Sequence, residues 1–82
     1  MADRNNGEVT FTVHEILGVL KERADGWKYE VTLTSWNGQS PKIDIRCWDP
    51  DHERMTRGIT MFEDEAKKLA QILAERYGTE RR

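Results

Sequence analysis

The sequence predicts a single α+β domain in which four β-strands are followed by one helix. Two observations support this prediction: several segments alternate apolar and polar side chains, and the last long segment repeats its apolar residues every three or four positions. Turn-forming residues separate these segments. The chain has 82 residues, which is enough for one domain. We assign residues 1–82 to it, with an ordered core at about residues 9–77.

The predicted first strand spans Val9 to Leu20. Apolar and polar residues alternate as far as His14, and the alternation then breaks before Gly18. A bulge or sharp bend near Gly18 would restore the phase of the strand. A short helix over residues 14–21 is the competing interpretation.

The next two strands alternate cleanly and are joined by a turn at residues 37–41. We predict strands from Trp27 to Trp36 and from Lys42 to Trp48, paired as a half-buried antiparallel hairpin. One face of this hairpin is apolar and is expected to form the core; it carries Trp27, Tyr29, Val31, Leu33, Ile43, Ile45 and Cys47. The lone cysteine is therefore interpreted as a small core residue.

The C-terminal part of the chain predicts a short strand and the one helix. The strand covers Gly58 to Met61 with Ile59 and Met61 pointing inward, and the helix covers Glu63 to Tyr77. Thr60 precedes Glu63 by the spacing of a capping box, so Thr60 is the expected N-cap. A glycine at position 78 is a natural C-terminal stop.

Composition excludes several classes of protein. The formal net charge is -2, so any nucleic-acid site must be a local basic patch. One cysteine and two separated histidines predict no disulfide, no metal site and no cofactor. His14 and His52 lack a matched nucleophile, so we expect no enzyme, and His52 is interpreted as a solvated loop residue. The absence of a long apolar run predicts a cytoplasmic protein, compatible with association with the nucleoid.

The second face of the predicted hairpin combines indoles with basic side chains. Period-two alternation places Lys28, Trp36, Lys42, Arg46 and Trp48 on this one surface, with both indoles exposed. Indoles stack on unpaired bases at about 1–3 kcal/mol each, and cations neutralise phosphates. Asp44 on the same face is expected to form a cross-strand ion pair with Lys28 or Arg46. Packing under a long loop or against a partner subunit would explain the same pattern, so both interpretations stay open.

Specific motifs resemble those of a known family. The run from Pro41 to Asp51, which contains Asp-Ile-Arg, and the later run Arg57-Gly58-Ile59-Thr60 resemble the transcriptional positive cofactor 4 (PC4-like) coactivator family, in particular its short bacterial YdbC-like branch. The resemblance spans about residues 9–75. It implies a curved four-stranded antiparallel sheet followed by one C-terminal helix, a homodimer, and binding of single-stranded DNA with little sequence preference.

The resemblance also implies which residues bind. Arg46 falls on the arginine of the Asp-Ile-Arg motif, Trp48 on the aromatic residue after it, and Arg57 on the basic residue before the Gly-Ile-Thr return. Lys28, Trp36 and Lys42 match the family's remaining basic and aromatic positions. We therefore expect single-stranded DNA or RNA as the partner, together with transcription, repair or replication machinery. The alternative is a protein-interaction module that docks a polypeptide on the same face.

Overall fold

The computed structural model describes residues 9–78 and confirms a four-stranded antiparallel sheet followed by one helix. The elements are β1 (Phe11–Glu22), β2 (Lys28–Trp36), β3 (Lys42–Trp48), β4 (Ile59–Met61) and α1 (Glu63–Tyr77). The strands pair in chain order. The short helix considered over residues 14–21 is wrong, because this segment belongs to β1. The ends of the domain assigned above, residues 1–8 and 79–82, lie outside the described residues.

The first strand pairs with β2 through an irregular register. The pairing shifts at three places, after Val13, Ile16 and Val19, and the second of these shifts lies beside Gly18, where a bulge was predicted. The first two shifts keep Val13, Ile16 and Val19 in register with alternate residues of β2, on one side of the sheet. Bulges also bend a strand and increase its twist. The irregular spacing of β1 therefore supports a curved sheet.

The sheet has two faces that we name by what they carry. The helix face carries Val31, Ile43, Ile45 and Met61, which lie beside α1. The aromatic face is the opposite one and carries Phe11, Trp36, Arg46 and Trp48. These names are kept below.

Contacts across the aromatic face show that the sheet curves strongly. Trp48 pairs with Lys28, and the span along β2 from Lys28 to Trp36 is eight residues. In a straight strand this span measures about 27 Å. The ring centroids of Trp36 and Trp48 are nevertheless 6.4 Å apart. The two ends of the aromatic face therefore meet, and this face is the concave side of the sheet.

Burial on the two faces is the reverse of the prediction. The fully buried side chains are Thr32, Thr34, Asp44 and Trp48, all of which lie on the aromatic face. On the helix face, Cys47 is buried as predicted, whereas Val31 and Ile45 are half-buried and Tyr29 is exposed. The reason is the curvature, since the concave side closes on itself and the convex side has a single helix to cover it.

The helix lies loosely on its face of the sheet. No residue of α1 is buried, and an apolar cavity of about 290 Å³ opens between the helix and the sheet. Leu20, Ile43, Leu69 and Leu73 are among its lining residues. Residues 9–78 contain no helix with the length and apolarity needed to cross a membrane.

The helix begins differently from the prediction, although its bounds are as expected. The N-cap is Phe62, and its backbone N–H donates to the Glu65 carboxylate at 2.8 Å. Thr60 is not the cap: it belongs to β4, and its hydroxyl donates to Asp44 Oδ1 at 2.8 Å. Thr60 and Glu63 have the spacing of a capping box, but the Thr60 hydroxyl is bonded to Asp44 of the sheet and cannot cap the helix. Ile59 and Met61 pair with Ile45 and Ile43 of the helix face, as predicted, but Ile59 remains 56% exposed whereas Met61 is half-buried.

A substitution at Gly58 tests how closely the chain before β4 approaches β3. A Cβ at Gly58 would collide with Arg46 Cβ and the Ile45 carbonyl oxygen. We expect Gly58→Ala to lower the free energy of unfolding by about 1–3 kcal/mol in urea denaturation, because the backbone must shift. The matched control is Gly18→Ala, whose Cβ would meet nothing within 4 Å; we expect a neutral or slightly stabilising change. Equal losses in both variants would contradict this account.

Candidate nucleic-acid interface

Aromatic rings gather at the centre of the concave face. Phe11 lies 5.7 Å from Trp36 and 5.1 Å from Trp48 between ring centroids. The two indoles are nearly parallel, with an interplanar angle of 14°. The His52 ring adds a fourth member, 5.6 Å from Trp48. We call Phe11, Trp36, Trp48 and His52 the aromatic cluster.

The two tryptophans share one face, but their exposure differs from the prediction. Trp48 is 0% exposed and Trp36 is half-buried. The loop after β3 accounts for part of this burial, since Met55 forms a bridge with Trp48 and His52 lies against its ring. The predicted exposure of Trp48 is therefore wrong. Packing under a long loop, which the sequence left open, describes Trp48 correctly.

Both indole N–H groups are unpaired. Trp36 Nε1 and Trp48 Nε1 are buried and have no hydrogen-bond partner within residues 9–78. A buried donor without an acceptor costs about 1–3 kcal/mol, and native structures keep few such groups. The aromatic cluster therefore holds two donors that an incoming carbonyl or phosphate oxygen could satisfy.

Arg46 is held on the aromatic face by contacts with Asp44 and Trp36. Its Nε donates to Asp44 Oδ2 at 2.6 Å and its Nη2 to Asp44 Oδ1 at 2.8 Å. The guanidinium also lies 4.6 Å from the centroid of the Trp36 ring. The expected ion pair of Asp44 thus exists with Arg46, but the two residues follow each other along β3 instead of facing across strands. Because Asp44 is fully buried, this pair offsets a charge that would otherwise be strongly destabilising.

The other basic residues flank the aromatic cluster. Lys28 pairs in register with Trp48 and is half-buried. Lys42 Nζ lies 3.3 Å from Gln39 Oε1 and 5.5 Å from the Phe62 ring centroid. Arg57 is exposed on the loop before β4, and its guanidinium has no hydrogen bond or ion pair within residues 9–78. The structure therefore brings Lys28, Lys42 and Arg46 to one face, whereas Arg57 is exposed on the loop before β4 without an ionic partner among residues 9–78.

The loop that covers Trp48 is built around Asp49. The Asp49 carboxylate accepts the backbone N–H groups of Glu53 at 2.8 Å and Arg54 at 3.0 Å. These bonds, with that of Arg54 the largest effect, hold the pKa of Asp49 below its ordinary value. The ionised Asp49 carboxylate therefore stabilises the folded state at pH values above the ordinary pKa of aspartate. This stabilisation is lost as the pH falls through the lowered pKa of Asp49.

Sequence reasoning missed three residues of this region. Phe11 was placed in the first strand but not at the site. The irregular register of β1 prevents the sequence from showing that Phe11 pairs with Trp36. His52 was interpreted as solvated, yet its Nε2 donates to Glu30 Oε1 at 2.8 Å. Glu30 itself is 2% exposed. No local pattern indicates this contact, since its partners are 22 residues apart. Residues 9–78 hold no group of three metal-ligating side chains.

The burial of Trp48 predicts a structural cost for its removal. We expect Trp48→Ala to lower the free energy of unfolding by about 3–5 kcal/mol, because a fully buried indole leaves a cavity. Trp36→Ala is the matched control and should cost clearly less, since Trp36 is half-buried. Chemical denaturation followed by far-UV circular dichroism measures both values. A smaller loss for Trp48→Ala than for Trp36→Ala would show that Trp48 is exposed in solution.

Comparison with known proteins agrees with this architecture. Residues 23–72 match the family model described as Transcriptional Coactivator p15 (PC4), a non-enzymatic binding domain. The chain is also 35% identical over 68 residues to an uncharacterized protein of Treponema pallidum (strain Nichols), an alignment that covers 83% of this chain and 80% of that protein. The family match contains β2, β3, β4 and most of α1, which are the elements that build the aromatic face and cover its reverse. This chain belongs to the PC4 transcriptional coactivator family.

Proposed function

We propose that this protein binds single-stranded DNA or RNA, with little sequence preference, through the aromatic face. The observation that carries the proposal is the aromatic cluster, in which two unpaired indole N–H groups lie among Lys28, Lys42 and Arg46. Membership of the PC4 family supports it, because that family is known for binding single-stranded DNA. The process served is regulation of transcription, or repair and replication of DNA.

The proposed mechanism divides the tryptophans into two roles. Trp36 offers a half-exposed ring on which a base can stack, whereas Trp48 lies beneath it and supports its position. Arg46 lies 4.6 Å from the centroid of the Trp36 ring and helps to hold it in place through a cation–π contact. A base that displaces part of this packing brings an acceptor atom, either a carbonyl oxygen or, in adenine, a ring nitrogen, to an unpaired indole N–H group. This contact needs no particular base, which accounts for weak sequence preference.

Phosphate binding is assigned to the cations that have fewest partners. Lys28 pairs with Trp48 at the end of β3 that leads into the loop, and Lys42 lies at the opposite end of β3. Arg57 is exposed on the loop before β4. The acidic first turn of α1, at residues 63–65, belongs to the element on the reverse side of the sheet. Local cations therefore act on the strand despite a net charge of -2. Binding that depends on few phosphate contacts is weakened by salt.

A homodimer is part of the proposal. Apolar side chains stay exposed along α1, where Ile72 is 53%, Leu73 47% and Tyr77 75% exposed. Leu20 on β1 is 58% exposed and shares the open apolar cavity with Leu73. An apolar surface of this kind on a small domain favours burial against a second copy. The dimer would complete the core that the convex side of the sheet leaves open.

Titration with oligo(dT) tests the proposed function. We expect quenching of tryptophan fluorescence that weakens with salt, as bases reach the Trp36 ring. Trp36→Ala should weaken binding by about 1–3 kcal/mol through lost stacking. Arg57→Gln should reduce the slope of log K against log salt by about 0.7, the value for one phosphate contact to a single strand. Lys67→Gln, an exposed position on α1, is the control and should leave the slope unchanged.

Two results would contradict the proposal. Failure to bind any oligonucleotide at low salt would favour the alternative, in which the same face docks a polypeptide. Binding that is insensitive to Trp36→Ala and Arg57→Gln would place the nucleic acid on another surface.

The dimer is tested separately by sedimentation velocity. We expect the wild type to sediment as a dimer, and Leu73→Glu to sediment as a folded monomer, because a buried charge opposes association. Gln71→Glu introduces the same charge at another exposed position of α1 and should remain dimeric. A monomeric wild type would remove the dimer from the proposal without affecting the binding face.

A further inference from the structure

His52 occupies an unusual position for a loop histidine. Its ring lies 5.6 Å from Trp48 at an angle of 33°, at the end of the aromatic cluster. Its side chain is 29% exposed, whereas that of Glu30, its hydrogen-bond partner, is 3% exposed. The backbone of His52 has a φ of 57°, a left-handed conformation that disfavours residues with a Cβ.

Glu30 explains how the ring is held. Its carboxylate is buried on β2, and His52 is its one hydrogen-bond partner within residues 9–78. A buried carboxylate is strongly destabilising without such a partner. The contact engages Nε2 of His52, so the second ring nitrogen, Nδ1, stays without a partner in the same part of the chain. Glu30 therefore fixes the orientation of the imidazole and leaves one nitrogen for a ligand.

We propose that His52 is a further nucleic-acid contact, in which the protonated ring donates from Nδ1 to a phosphate oxygen of the bound strand. Glu30 acts as the positioning residue, because it holds Nε2 and balances the charge of the imidazolium. This inference rests on the proposed function and extends the interface from Trp36, past Trp48, to the tip of the loop after β3. It also makes affinity depend on pH.

Charged groups of both signs lie around the ring. On the sheet, Glu30 contacts the ring, and Lys28 of the same strand pairs in register with Trp48 beneath it. On the loop itself, Asp49, Asp51 and Glu53 surround His52 in sequence, and the Asp49 carboxylate is engaged by backbone N–H groups. The ring lies 5.6 Å from Trp48 at a tilt of 33°, and Nδ1 is its one nitrogen without a partner within residues 9–78. Histidine is the side chain that ordinarily changes charge between pH 5 and 8.

The test is fluorescence anisotropy of labelled oligo(dT) at about pH 5.5 and about pH 8, each over a series of salt concentrations. For the wild type, we expect binding roughly threefold to fivefold tighter at the lower pH, as one exposed ionic contact provides. We also expect the slope of log K against log salt to be steeper there by about 0.7, because one more phosphate is neutralised.

Three variants isolate His52. His52→Gln should remove both the pH dependence of affinity and the change of salt slope. His52→Lys carries a charge at both pH values and should bind at about pH 8 as tightly as the wild type does at about pH 5.5. His14→Gln is the matched control: the Nε2 of His14 contacts Ser35 Oγ at 2.7 Å, outside the aromatic cluster, and its loss should leave the pH dependence intact.

The outcomes separate the two proposals. Absence of wild-type binding at both pH values would overturn the proposed function and this inference together. Wild-type binding with no pH dependence, or pH dependence that persists in His52→Gln, would overturn the role of His52 alone. If His52→Gln loses its far-UV circular dichroism signal, His52→Lys decides the question, since affinity at about pH 8 no better than that of the wild type contradicts the proposal.

Discussion

The contact between Trp36 and Trp48 across the concave face is the constraint on which the rest of the structure depends. These residues lie at opposite ends of the aromatic face, and their rings meet only because the sheet curves. Three register shifts in β1 permit that curvature while Val13, Ile16 and Val19 stay on the aromatic face. Once the ends of the face meet, Thr32 and Thr34 beneath them are sealed from solvent, and their hydroxyls pair with each other at 2.8 Å. Curvature therefore turns a face with many polar side chains into the buried core.

The polar groups of that core are paired according to their charge. Arg46 pairs with Asp44 and His52 with Glu30. The third buried carboxylate, that of Asp49, accepts two backbone N–H groups of its own loop. Arg46 also links the ion pair to the aromatic cluster by lying over Trp36. Arg46, which the sequence pattern assigns to phosphate binding, therefore also stabilises the fold. The indole N–H groups are the exception, since both remain unpaired within the described residues, and this exception lies where a ligand is proposed.

The convex side of the sheet is covered less completely than the concave side. It carries the more apolar strand residues, yet α1 covers them incompletely and leaves an open cavity. A domain of this size has little area with which to bury both sides of a sheet. The concave side is completed within one chain, and the convex side is the one that a second copy would complete. The proposed ligand binding and the proposed association therefore use opposite faces of the same sheet.

The sequence by itself determined the order of elements, the bounds of β3 and α1, and the grouping of Lys28, Trp36, Lys42, Arg46 and Trp48 on one face. Alternation and helical periodicity are local, so they can be read without knowing the fold. Which face is buried was decided by the tertiary structure, because curvature depends on bulges whose pairing partners lie on another strand. The same holds for the burial of Trp48 and for the contact of His52 with Glu30, which join residues distant in sequence. Side-chain type indicated the chemistry of the site, and long-range packing decided which of its groups remain free to act.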